Sequence, residues 1–127
     1  MVAARDMQAI ILVDHGSRHA AANQTLLDVA ELVRAEVGRD WLVVAAHMEI
    51  EPPTVAQAIA DCVARGVREI VVQPYFLALG RHASEDIPRL VRESASAHPG
   101  VTFRVAEPLG AHALLAQLVA LRCSEAK

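Results

Sequence analysis

Apolar positions along the chain follow two rhythms in alternation. Ala9 to Val13, Trp41 to Met48 and Ile70 to Phe76 are nearly unbroken apolar runs, as expected of strands covered on both faces. Val101 to Ala106 instead alternates, with Phe103 and Val105 on one side and Thr102 and Arg104 on the other. That pattern predicts an edge strand with one wetter face. Between the runs the spacing becomes helical. Leu26, Val29, Ala30, Val33 and Val37 recur on one face of Asn23 to Val37, and Val55, Ala58, Ile59, Cys62 and Val63 do so in the next segment. Ile87, Leu90 and Val91 mark a third helix, and Leu114, Leu115, Leu118 and Val119 a fourth. The order is βαβαβαβα, which predicts an α/β fold with a parallel sheet and helices on both faces. With right-handed crossovers, the strand order 2-1-3-4 puts the runs at Ala9 and Ile70 in the centre.

Punctuation between the elements sharpens their ends. Gly38 and Gly66 stop the first two helices. Thr54 with Gln57 three residues on has the form of a capping box. Pro74 lacks the N–H a ladder needs, so pairing is expected to fail there and leave Tyr75 to Ala83 as a loop carrying His82. Ser84 then reads as the next N-cap, with Glu85 and Asp86 in the first turn.

The 127 residues suffice for one domain with its own core, so residues 1–127 are read as a single unit. Aromatic residues make up only 3% of the chain, so that core is built from Val, Leu, Ile and Ala. No apolar stretch approaches the roughly 18 uncharged residues of a membrane span, and no secretory signal is visible at Met1 to Gln8. The net charge of −3, without a basic run, argues against a nucleic-acid partner. Cys62 and Cys123 form no C-x-x-C pair. Cys62 on an apolar helical face reads as a buried inert thiol, and a reducing compartment such as the cytoplasm fits.

Chemistry gathers where the strands end. Asp14-His15-Gly16-Ser17-Arg18 follows the first run, His47 and Glu49 the second, Arg81 and His82 the third, and Glu107 and His112 the fourth. The carboxyl edge of an open α/β sheet is where such folds bind ligands. His15, Glu49 and His82 are spaced by about one βαβ unit, roughly 30 residues or slightly more, so they return to the same edge. Two imidazoles and a carboxylate suit a divalent transition ion, although spacing alone is weak support for one. Arg18 and Arg81 beside them suit carboxylates. Ser17 suits an anion or a helix cap.

The blocks Val13-Asp14-His15-Gly16-Ser17-Arg18, Ala46-His47-Met48-Glu49-Ile50-Glu51-Pro52-Pro53-Thr54, Pro74-Tyr75-Phe76-Leu77 with Gly80-Arg81-His82, and Asp86-Ile87-Pro88 resemble the sirohydrochlorin chelatases. The likeness runs from about Ile10 to the last helix, including Pro108-Leu109-Gly110 and His112. It implies a flavodoxin-like three-layer chelatase fold and insertion of a divalent metal substrate, ferrous iron or cobalt, into the tetrapyrrole sirohydrochlorin. No nucleotide, ATP or organic cofactor is implied. The family's metal-contacting histidines match His15 and His82, which also become the catalytic candidates, and its metal-site glutamate matches Glu49. Ser17, Arg18, Arg81 and His112 become substrate-binding candidates. His47, where many relatives carry an apolar residue, stays outside the core set. The Ala-His-Met-Glu and Gly-Arg-His segments are similar to plant-type iron enzymes, which would place the chain in a plastid, but the cysteine-rich tail of those enzymes is missing. Longer family members resemble two fused copies, so a homodimer is expected, formed through the strikingly apolar second strand.

Two other readings compete. Histidine phosphatases also place His-Gly after a first strand, but need an arginine where Asp14 stands. A non-catalytic metal carrier would use the same ligands without needing Arg18, Arg81 or a tetrapyrrole-sized cleft.

Overall fold

The computed structural model describes residues 7–127. Its elements run β1 (Met7–Asp14), α1 (Ala20–Val37), β2 (Trp41–His47), α2 (Val55–Ala64), β3 (Val67–Pro74), α3 (Arg81–Ala97), β4 (Thr102–Val105) and α4 (Ala113–Glu125). All strand pairs are parallel, in the order β2-β1-β3-β4.

Side chains on the two faces of the sheet feed two cores. Leu12, Val43 and Ala45 pack against Leu26 and Ala30 of α1. On the other face Ile11, Val13, Ile70 and Val72 meet Ile59 and Cys62 of α2 and Ile87 and Val91 of α3. Each large aliphatic side chain removed from water here contributes about 1.5–3 kcal/mol. The expected capping box on α2 is present: Gln57 N–H donates to Thr54 Oγ1 at 3.1 Å, and Thr54 N–H to Gln57 Oε1 at 2.9 Å.

Three local expectations need correction. Pairing does not fail at Pro74, because Val13 pairs with Pro74 and Tyr75 N–H then donates to Val13 O at 2.7 Å. In a parallel ladder alternate residues face opposite neighbours. Pro74 therefore turns its missing donor toward the β4 side, where the ladder has already ended at Val72 and Val105. Helix α3 starts at Arg81, with Gly80 as N-cap, rather than after Ser84. Ser84 lies inside the helix, its Oγ donating to Arg81 O at 2.8 Å, and no acid falls in the first turn. Helix α1 begins at Ala20, three residues before Asn23, which is buried.

Helix α4 departs from the rest. None of its residues is buried, Leu114 is 66% exposed and Val119 61%, and it packs against no other element among the described residues. No described helix is long and apolar enough to cross a membrane.

Candidate active site

The β1 and β2 ladder does not stop where the strands do. Asp14 pairs with His47, Met48 N–H then donates to Asp14 O at 2.9 Å and Glu49 N–H to His15 O at 3.1 Å. Two turns that would otherwise diverge thus leave the sheet in register, carrying His15 and Glu49 side by side. Their close approach dictates Gly16. Its φ is +88°, and a Cβ there would lie 1.9 Å from Glu49 O. Only glycine meets both conditions.

Other groups fix the first turn. Asn23 Oδ1 accepts from Ser17 N–H at 2.9 Å while its amide donates to Ser17 O at 2.7 Å. Ser17 Oγ accepts from His19 N–H at 3.0 Å, a local turn bond just ahead of α1. The His15 ring meets Phe76 edge-on, centroids 5.2 Å apart, an arrangement that suits the opposed charge distribution of ring face and edge. Phe76 belongs to the segment that also leads to His82.

His15, Glu49 and His82 line one open cavity of about 380 Å³, together with Met48, Asp86, Arg89 and Leu90. His82 sits in the first turn of α3, so Asp86 follows it by one helical turn on the same face. Asp86 is held by Arg89 at 3.0 Å, an exposed pair of the kind that adds little stability. The three sequence-predicted donors therefore share a cavity. They are exposed, and no set of three or more His, Cys, Asp or Glu among the described residues stands close enough to grip an ion. Rotation of exposed side chains is needed for that.

The substrate-binding candidates are placed less uniformly. Arg18 and Arg81 are exposed and have no carboxylate partner among the described residues. His112 does not reach the cavity shared by His15 and His82. It caps α4, its Nδ1 accepting from Leu114 N–H at 3.0 Å, and it borders an apolar hollow lined by Leu77, Ala78 and Val119. Sequence reasoning passed over Asn23, Phe76 and Asp86. The first two act through long-range contacts that a linear pattern does not show, whereas Asp86 is visible as the residue four after His82.

Beneath the cavity lies a pair that sequence reasoning also left aside. His47 is 2% exposed, and its Nδ1 stands 2.5 Å from Asp14 Oδ1. The same oxygen accepts from Gly16 N–H at 3.0 Å. With that carboxylate committed to the turn, the position where a histidine phosphatase needs arginine holds a fixed acid.

The class the structure defines is an α/β protein with a four-stranded parallel sheet that presents imidazoles and a carboxylate to one cavity at its carboxyl edge. The chain belongs to the CbiX family, whose model matches residues 9–126. It is 38% identical to the chloroplastic sirohydrochlorin ferrochelatase of Arabidopsis thaliana, over 90% of this chain and 50% of the relative. It is 36% identical to the sirohydrochlorin cobaltochelatase of Methanococcoides burtonii, over 91% of this chain and 94% of that one. Among solved structures it is similar to the sirohydrochlorin chelatase SirB of Bacillus subtilis in complex with cobalt, with TM-score 0.84 and 30% identity over 94% of this chain and 50% of SirB. The chain thus spans about half the length of the Arabidopsis and Bacillus relatives and nearly all of the archaeal one.

Proposed function

We propose that the protein is a sirohydrochlorin chelatase, a lyase that inserts divalent iron or cobalt into sirohydrochlorin. The observation that carries this reading is the convergence of His15, Glu49 and His82, from three separate segments, on one open cavity. Imidazole and carboxylate donors of this kind suit first-row transition ions. The ion is a substrate, so its site must also release it. Three protein ligands leave positions open for the ring nitrogens that displace them. As the ring takes the metal its pyrrole protons leave, and a neutral imidazole has a suitable basicity to accept one near neutral pH. Arg18 and Arg81, both exposed, are suited to the carboxylates at the tetrapyrrole rim. Ser17 and His112 remain candidates for the same rim, with His112 Nε2 the free nitrogen. Residues 1–127 act as one chelatase unit that uses no nucleotide or organic cofactor. Its setting is the cytoplasm, or the plastid if the chain is of the plant type.

The reading includes a homodimer. Relatives of about twice this length hold room for two such units, and α4 displays Leu114, Leu118, Val119 and Leu121 without a covering element. A helix apolar on several faces is stable when buried, and a second copy is the occupant proposed. The second strand, which the sequence pointed to, is already half-buried or buried along its length.

The test is anaerobic incubation of sirohydrochlorin with Co²⁺ or Fe²⁺, followed by visible absorbance. The expected result is conversion to the metallated spectrum at a rate proportional to protein. Metal binding without acceleration would leave a carrier, and neither binding nor acceleration would overturn the site.

A further inference from the structure

We infer that Asp14 and His47 form a positioning pair that sets the separation of His15 and Glu49, and through it the affinity and geometry of the metal site. The inference rests on the reading of His15 and Glu49 as metal ligands, but its physical basis is independent of that reading.

His47 is the one imidazole buried in the described core. A polar group taken out of water must be hydrogen-bonded to be tolerated, and the partner here is a carboxylate. A carboxylate oxygen that already accepts from Gly16 N–H can take only a second donor, which at this contact is His47 Nδ1, and the hydrogen bond sets the plane of the ring. The backbone of His47 is fastened as well, its N–H donating to Pro53 O at 2.9 Å where the β2–α2 segment doubles back. One residue thus ties together the end of β1, the Gly16 turn and both ends of the segment bearing Glu49. The next two rungs outward join Met48 to Asp14 and Glu49 to His15. Gly16 lies so close to Glu49 O and to His47 Cβ that no slack is left between the turns. The pair therefore stands directly behind two proposed ligands that sit on different strands, the place where outer contacts orient a metal's first shell.

The test compares variants that break the latch with variants that keep it. His47→Leu removes the donor at similar bulk. His47→Asn keeps an N–H one bond from Cγ, where Nδ1 of the imidazole lies. Asp14→Ala removes the acceptor at a partly exposed position and so guards against failure of the buried variant to fold. Asp14→Asn keeps an acceptor without the charge. Two readouts are taken on each full-length protein: amide hydrogen exchange without metal, and titration with Co²⁺ alone, followed by the ligand-field bands of bound cobalt.

In His47→Leu and Asp14→Ala the amides of Gly16, Met48 and Glu49 are expected to exchange about tenfold faster, the scale of a lost hydrogen bond to a charged group, with core amides such as Val72 unchanged. Cobalt should bind about tenfold or more weakly, with shifted bands, as when outer contacts of a metal site are lost. His47→Asn and Asp14→Asn should restore both readouts toward wild type. Unchanged exchange and bands in folded His47→Leu overturn the inference. So does an Asp14→Asn protein as impaired as Asp14→Ala, because charge rather than the latch would then set the site. Uniformly faster exchange would reduce the pair to general stability and overturn it too. Wild-type protein that binds no cobalt removes the metal-site reading itself, a result distinguishable because local exchange still reports on the latch.

Discussion

The two ends of the sheet are built to different standards. At the β1 and β2 end the ladder continues into the loops, Gly16 touches Glu49, and His47 is locked to Asp14. At the β3 and β4 end β4 is four residues long, His82 is exposed on a first helical turn capped only by Gly80, and α4 packs against no other element among the described residues. The difference follows from packing. β1 and β2 are closed by α1 on one face and by α2 on the other, whereas the face bearing Thr102 and Arg104 has no helix over it among the described elements. On the proposed reading, in which an ion is first bound and then surrendered to a macrocycle, this asymmetry is useful. Two of the proposed ligands, His15 and Glu49, are tied together by backbone hydrogen bonds, and the third, His82, is carried separately on the first turn of α3.

Gly16→Ala attacks the rigid end and should have the largest effect. The new Cβ would overlap Glu49 O while φ stays positive, so either the turn shifts or the ladder breaks. Backbone strain and a lost ladder together place the cost at about 3 kcal/mol or more, read by chemical denaturation, and insertion activity should be lost with it. A variant that melts like wild type would show that the two turns are not in contact.

His82→Ala tests the other end, where function and stability should separate. The side chain is exposed, so stability should stay within about 0.5 kcal/mol. Insertion at limiting metal should fall by about a hundredfold or more, because a proposed ligand and a candidate proton acceptor are lost together. An unchanged rate in the folded variant would remove His82 from the mechanism. Glu49→Ala should be milder, about tenfold, the lower end of what site mutations cost a metal centre. Raising the metal concentration should restore it, the outcome expected of a carboxylate that mainly supplies charge to the site.

The same division governs what the sequence could tell. Sheet order, the Thr54 capping box and the stop at Gly38 were legible because each depends on local chemistry or on apolar periodicity. The start of α3 was not, since Gly80 offers no side-chain cap and Ser84 mimics one. His47 looked like the polar exit of a strand, and its partner emerges only once the register sets Asp14 opposite it. The shared cavity of His15, Glu49 and His82 followed from the repeat spacing. The role of His112 as a cap did not, because an imidazole ahead of a helix reads equally well as a ligand. For α4 the apolar stripe was visible, but a stripe does not say whether its cover comes from the same chain.

Leu118→Glu addresses that last point and should leave the isolated unit almost untouched. A charge on the exposed face of α4 should shift sedimentation from dimer to monomer at micromolar concentration, with monomer stability changed by no more than about 0.5 kcal/mol. Wild-type protein that sediments as a monomer throughout would leave α4 without its proposed partner.

The smallest effect uses two thiols already in place. Cys62 is buried in the core under α2, whereas Cys123 is exposed on α4. Burial pushes the Cys62 thiol up to about 11 from 9.0, with Asp61 adding to the rise and Arg65 opposing it, so at neutral pH it carries almost no reactive thiolate. A disulfide reagent added to native protein should therefore titrate one thiol at once and the second only as the protein unfolds. The pH dependence has a definite sign. A folded thiol whose pKa lies above its unfolded value favours the folded state while both are protonated, so this contribution is intact below about 9 and drains away as the pH climbs toward about 11. Cys62→Ala should flatten that part of the stability profile and leave the prompt reaction of Cys123 as it was. Immediate reaction of both thiols at pH 7 would mean that the core beneath α2 opens as readily as exposed α4 is reached, and the contrast between the two regions would fail.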